Sequence, residues 1–212
     1  MCQVGWRPRA ASEVTIVAVS KTFPAGVIQE ALAAGIRHIG ENRVQDAEPK
    51  IRSLAALGLH PTWHMVGHLQ TNKAKAALEL FDVIQSVDSL RLAEALSQRA
   101  QRPLPILLEV NVGGEATKYG FAPEEVPPAA EAIARLSNLE VRGLMTVAPL
   151  TADPEDVRPV FHRLRQLRDA LGLRELSMGM TDDFEVAIGE GATIVRIGRA
   201  IFGPRPQVGE RG

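Results

Sequence analysis

The chain has 212 residues, 45% hydrophobic and 23% charged, with 24 basic against 25 acidic side chains and a net charge of −1. That is enough chain for one large domain or two small ones with a full core and no disulfide or metal staple. The balanced charge gives no electrostatic footprint for nucleic acid. Cys2 is the single cysteine, which excludes an intrachain disulfide and a cysteine-rich metal site. The longest early apolar run, residues 14–19 broken by Thr15, is too short for a membrane span or a secretory leader, so a cytoplasmic protein without a membrane partner is expected.

Short β-type runs alternate with helical periods along the chain. Residues 15–20 form the first run; Val27, Ile28, Ala31 and Leu32 then share a helical face that Gly35 stops. Residues 38–42 precede a helical stretch over 43–57, and 62–67 lead into a Lys- and Ala-rich helix over 70–80. Residues 83–87 come before a helix opened by Asp88 or Ser89, with Leu92, Leu96 and Ala100 at helical spacing. Residues 105–112 are the most continuous apolar run, the pattern of a strand buried on both faces, and a helix over 123–137 follows. Residues 139–147 are the sixth strand. Asp153 caps the next helix, with Pro154 at its first position, a stripe through Val157, Val160, Phe161, Leu164, Leu167 and Leu171, and Gly172 as its stop. Residues 173–178, a helix over 182–190 and residues 193–198 complete the series.

Eight strands alternating with helices over about 200 residues predict an α/β fold, a single (β/α)8 TIM-type barrel. A doubly wound open sheet is the alternative, but it normally uses fewer units. The expected organisation is a loose segment over 1–13, the barrel over 14–203 and a tail over 204–212.

Function in such a barrel sits at the C-terminal ends of the strands. Lys21 follows VAVS at the end of a central strand, where partial desolvation would free its amine for Schiff-base chemistry. From position alone, a lysine whose ammonium reaches water is the more ordinary reading. The last two strands end in SMGM and RIGRA, where Ser177, Gly198 and Arg199 suit a phosphate cradle. A lysine with such a cradle across the mouth is what a phosphorylated aldehyde needs. His60, His64 and His68 are four residues apart, but Pro61 and a β-type run put His64 on a strand, so no metal is expected there. Asp182 and Asp183 serve a helix start. Lys118, in the loop over 113–120, reads as a solvated loop lysine, with a reach over the mouth as the alternative.

The ordered motifs VAVSKT, IGENRVQD, WHMVGHLQTNK, VNVGGEATKYG, GLMTVAP, LSMGMTDDFEVAI and GATIVRIGRAIFG, spread over residues 15–203, resemble the pyridoxal 5′-phosphate homeostasis proteins, a family similar to the N-terminal barrel of alanine racemase. The resemblance implies pyridoxal phosphate in Schiff-base linkage to Lys21, phosphate contacts from Ser177, Gly198 and the backbone of Arg199, and Arg196 against the pyridine nitrogen. Asn42, His64 and Met145 match pocket-facing positions. The sequence departs from the family's pattern at four places. Only about 14 residues precede the first strand, so the usual N-terminal helix is expected to be missing, exposing part of a strand layer or leaving it to a partner. Arg199 stands where Ser or Thr is usual, Phe23 where a second lysine is common, and Gly113 where serine is frequent.

Racemisation needs acid–base groups on both faces of the cofactor. In alanine racemase the second is a tyrosine from another domain; here the strands consume the chain and Tyr119, in a loop, is the sole tyrosine. An arginine at the pyridine nitrogen also weakens the ring as an electron sink. The resemblance therefore implies a cofactor carrier without catalytic residues that buffers pyridoxal phosphate and delivers it to apo-forms of dependent enzymes. A monomer is expected, with a dimer as the alternative if the short N-terminus favours it. A single-domain fold-type III enzyme of the amino-acid racemase kind, and a Schiff-base aldolase without cofactor, are the competing readings.

Overall fold

The structure, a computed structural model, describes residues 13–115 and 117–204. The expected N-terminal segment with its missing helix, and the C-terminal tail, fall outside these residues apart from Glu13 and Pro204. Within them the strands are β1 (Thr15–Val19), β2 (His38–Glu41), β3 (Thr62–Met65), β4 (Val83–Val87), β5 (Leu104–Glu109), β6 (Leu139–Met145), β7 (Glu175–Ser177) and β8 (Ile194–Ile197). They pair in parallel in chain order and close on themselves, β1 meeting β8 from Thr15↔Ile194 to Ala18↔Ile197. Each crossover carries a helix: α1 (Ala25–Ala33), α2 (Val44–Ala55), α3 (Ala74–Leu80), α4 (Leu90–Ser97), α5 (Val126–Ala134), α6 (Arg158–Ala170) and α7 (Phe184–Gly189), with the short α8 (Arg199–Phe202) after β8. Parallel neighbours require such crossovers, and closure leaves no strand edge exposed.

Strand alternation sorts the core into two layers. Ala18, Ile39, Ile106 and Leu144 point outward and pack on helix residues such as Ile28, Leu92, Ile133, Phe161 and Leu164. Val17, Leu107, Met145 and Ile194 fill the interior. Ile16, outward on β1, is 46% exposed, whereas Ala18 one pleat on is fully buried.

Helix starts follow their sequence signals. The Ser89 hydroxyl accepts the Leu92 N–H at 3.3 Å, and the Asp153 carboxylate accepts the Glu155 N–H at 2.9 Å. The helices expected from Gln70, Pro123 and Asp153 each begin with a short 3-10 turn before α3, α5 and α6. In α5 and α6 the prolines sit in the first helical turn, where an N–H would lack an intrahelical acceptor.

Candidate cofactor site

The chain leaves β1 in a tight turn that presents Lys21, closed by the Phe23 N–H donating to the Ser20 carbonyl at 3.0 Å. Thr22 adopts φ +72°, a left-handed conformation that a β-branched residue resists, so the turn stores strain beside Lys21. What holds it lies beneath. The Ser20 hydroxyl donates to Glu41 Oε1 at 2.6 Å, and Lys50 Nζ on α2 reaches the same oxygen at 2.7 Å and the Ser20 carbonyl at 2.8 Å. Ser20 and Glu41 are fully buried. Neither Glu41 nor Lys50 stands out as a site residue in the sequence. Glu41, an acid at the end of an apolar strand, is the detectable one; Lys50 looks like any other helical lysine.

Inside the barrel a line of polar groups crosses from β8 to β2. Arg196 Nη1 donates to Ser177 Oγ at 2.6 Å and Nη2 to the Thr146 carbonyl at 2.7 Å. Ser177 in turn donates to Gln85 Oε1 at 2.6 Å. Gln85 Nε2 lies 2.9 Å from His64 Nδ1, and His64 Nε2 lies 3.0 Å from His38 Nδ1. His64, Gln85, Ser177 and Arg196 are buried, and His38 is half-buried at the start of β2. Burial lowers the Arg196 pKa to about 10 against the opposing pull of Glu109 and Asp183, so it remains a cation at neutral pH. His64 is driven down to about 3 by burial and by His38, and stays neutral.

Lys21, Asn42, Met145, Ser177, Arg196, Gly198 and Arg199 thus all stand at or near the C-terminal strand ends, Met145 in the inner core layer. His64 sits lower, in the interior, bonded to Gln85 and His38. Gln85, Glu109 and His38 are functional candidates that the sequence analysis missed. A polar residue at the inward register of an apolar strand was the available signal. Gly179, after β7, has φ +91°, and a Cβ there would lie 2.5 Å from that of Ala187, so this loop needs glycine. The Arg199 guanidinium pairs with Asp182, and both are exposed. Asp183, by contrast, accepts the Met180 N–H in the turn before α7. Lys118 pairs with Glu115 at 2.6 Å and donates to the Val147 carbonyl at 3.3 Å, so it does reach the mouth's rim. Tyr119 stacks on His68, ring centroids 3.7 Å apart, and His68 meets Asp88 at 2.8 Å. A cleft of about 370 Å³ adjoins the mouth, lined by Asn42, Arg43, Gln45, Met65, His68 and Lys73 among others.

Glu109 ends β5 pointing the way Leu107 does, inward. Its Oε2 is buried without a hydrogen-bond partner among the described residues. Burial, then the nearby Asp88, push its pKa up to about 7, with Arg196 opposing. Below the ordinary carboxylate pKa both folded and unfolded chains hold this proton. Between there and about pH 7 only the folded chain does, so stability falls as pH rises through that window. Glu109→Gln keeps the shape without the titration. Urea unfolding should show it gaining on the wild type as pH rises, by roughly 1–3 kcal/mol above the folded pKa. A constant difference between the two proteins across that window would contradict this environment for Glu109.

The fold and the polar mouth define a barrel of the kind that opens alanine racemases. The chain belongs to the alanine racemase N-terminal domain family, whose model matches residues 6–206. Within it, the chain groups with the pyridoxal phosphate homeostasis proteins. The one from Pseudomonas aeruginosa is 48% identical over 202 residues, covering 93% of this chain and 87% of that protein. The one from Escherichia coli K12 is 42% identical over 210 residues, covering 93% and 88%. Among solved structures, PipY of Synechococcus elongatus with pyridoxal phosphate bound superposes with a TM-score of 0.84 at 39% identity, covering 92% of this chain and 95% of PipY. Alanine racemase from Corynebacterium glutamicum, at 19% identity and a TM-score of 0.70, shares the fold over 58% of its length. Among the described residues, no helix is long and apolar enough to cross a membrane.

Proposed function

We propose that this protein holds pyridoxal 5′-phosphate as a Schiff base on Lys21 and serves to buffer the cofactor and deliver it to apo-enzymes in the cytoplasm, without turnover of its own. What supports the reading is the meeting of Lys21, Arg196, Ser177 and the Gly198–Arg199 backbone at one end of a barrel 39% identical to a protein solved with that cofactor. The residues present fit the group. Ser86 Oγ and Glu109 Oε2 are buried polar atoms without a partner among the described residues, at or next to the ends of two strands. Gly179 keeps the loop after β7 free of side chain, and the first N–H groups of α8 have no acceptor within their helix. Bound pyridoxal phosphate would supply an aldehyde to condense with the Lys21 amine.

The chain's own residues then divide the work. Lys50 and Glu41 hold the turn that carries Lys21. Arg196, a cation that Ser177 and the Thr146 carbonyl hold in place, would face the ring nitrogen and keep it unprotonated. Asn42, Met145 and His64 would line or back the pocket. Tyr119, the sole tyrosine, is occupied in a stack on His68 rather than bonded at the interior line, which speaks against a second acid–base group for racemisation.

The test is the visible spectrum of the purified protein with added pyridoxal phosphate, followed by borohydride reduction and peptide mapping. The wild type should turn yellow and carry the reduced group on Lys21. Lys21→Ala should lose the band and the covalent adduct entirely while keeping its far-ultraviolet circular dichroism. A colourless wild type would sink the proposal, and steady turnover of an amino acid would replace the carrier with an enzyme.

A further inference from the structure

The interior line of hydrogen bonds has a direction, set by the Gln85 amide, whose Oε1 faces Ser177 and whose Nε2 faces His64. Arg196 only donates, so Ser177 Oγ accepts from it and sends its single proton to Gln85 Oε1. The Gln85 amide is thereby turned with its Nε2–H toward His64 Nδ1. His64 must then carry its one proton on Nε2, and that proton goes to His38 Nδ1. Every donor in the row points from Arg196 toward His38. His38, the first residue of β2, ends the line where the barrel opens to solvent at its N-terminal end.

We infer that His64 and Gln85 are positioning residues that form a two-state relay, and that protonation of His38 reverses it and so resets which groups Ser177 donates to at the mouth. A charged His38 has a proton on both ring nitrogens and can no longer accept from His64. Its Nδ1 takes up the proton that His64 held on Nε2 and donates it back across the same bond. His64 takes one proton from solvent on Nδ1 in exchange, so it is again neutral, accepting at Nε2 and donating from Nδ1. Gln85 turns its amide over, accepting from His64 through Oε1 and donating to Ser177 through Nε2. Ser177 now accepts from both Gln85 and Arg196, and its own proton is released toward any acceptor at the end of β7. Both arrangements satisfy Arg196, Gln85, His64 and His38 and differ in whether the Ser177 proton is used within the line or at the mouth, which is what makes the element bistable.

The charged groups facing the relay are few. Arg196 lies at its upper end, with Glu109 on β5 and Asp183 before α7 acting on it. At the N-terminal end Glu175 on β7 is influenced by Arg142 and Glu140 on β6 and by Arg174. Beside His38, β1 contributes Val17 and β3 contributes Thr62 and His64 in register. Burial holds His38 below the ordinary histidine pKa, so the forward direction prevails at neutral pH and the reversal comes on the acid side.

The test uses the full-length, unloaded protein labelled with nitrogen-15, followed by long-range proton–nitrogen correlation spectra from about pH 8 to about pH 5. His64 should show its proton on Nε2 at the start and on Nδ1 at the end. The change should share one midpoint with the titration of His38 and with a shift of the Gln85 side-chain amide. In His38→Gln, which keeps an acceptor but removes the titration, neither His64 nor Gln85 should move. A His64 proton that stays on Nε2 while His38 titrates would overturn the relay, as would a Gln85 amide that stays still while His64 switches. A protein that turns yellow with pyridoxal phosphate but shows no switch would sink the relay and leave the cofactor reading standing. A colourless protein that switches would do the reverse.

Discussion

Gly143→Ala should cost about 3 kcal/mol or more of unfolding free energy, the upper end of overpacking penalties. A Cβ on Gly143 would stand 2.0 Å from the Glu175 carbonyl oxygen and 2.6 Å from its carbon. No rotamer change relieves that clash, because the obstacle is the backbone of the neighbouring strand. The register explains the closeness. Between β5 and β6 the pairing steps from Ile106↔Val141 to Leu107↔Gly143, so β6 carries an extra residue that swings it toward β7. Gly143 is itself paired with Glu175, at the first of three rungs joining β6 to β7. Forcing that rung apart loosens Met145↔Ser177, the rung at the mouth. The urea midpoint should fall sharply, and a domain with about 5–15 kcal/mol to lose would be left marginal. A midpoint unchanged from wild type would mean that β6 and β7 do not meet as described.

The same glycine shows where sequence reading stops. Residues 139–147 read as the sixth strand, and β6 covers Leu139–Met145 of them. Nothing in the letters says that Gly143 is there for a bulge, since the clash it avoids belongs to a strand some 30 residues on. The barrel itself was legible because each strand is a local apolar run and each helix a local stripe. The places of Lys21, Gly198 and Arg199 just past the ends of β1 and β8 were legible because strand ends are read in order from the sequence. The partners were not. Ser177 reads as a hydroxyl for phosphate, yet its bond runs to Gln85, 92 residues away across the barrel. Glu109 lies within the apolar run over 105–112 and draws no reading of its own; its environment comes from Asp88, just past β4, and from Arg196 on β8. Contacts of that kind exist only after closure, and no periodicity announces them.

Lys50→Met tests the most consequential of these unannounced contacts. Glu41 is fully buried, and one of its oxygens receives both Ser20 and Lys50 while the other has no partner among the described residues. Removing the ammonium leaves a carboxylate in the interior with one hydroxyl for company. Breaking a buried pair from one side typically costs about 3–5 kcal/mol, because the remaining charge is uncompensated. Glu41→Gln should cost less, since the Lys50 ammonium is partly exposed and can turn to water. The double variant Glu41→Gln with Lys50→Met should recover much of the loss, which a chemical-denaturation cycle measures directly. A second consequence separates this lysine from an ordinary stabiliser. Lys50 also donates to the Ser20 carbonyl, the acceptor that closes the strained turn bearing Lys21. The double variant should therefore regain stability but not the full visible band with pyridoxal phosphate, because the turn has lost its anchor. Equal recovery of both would reduce Lys50 to a counter-charge and leave Thr22's strain to be held by Glu41 and Ser20 alone.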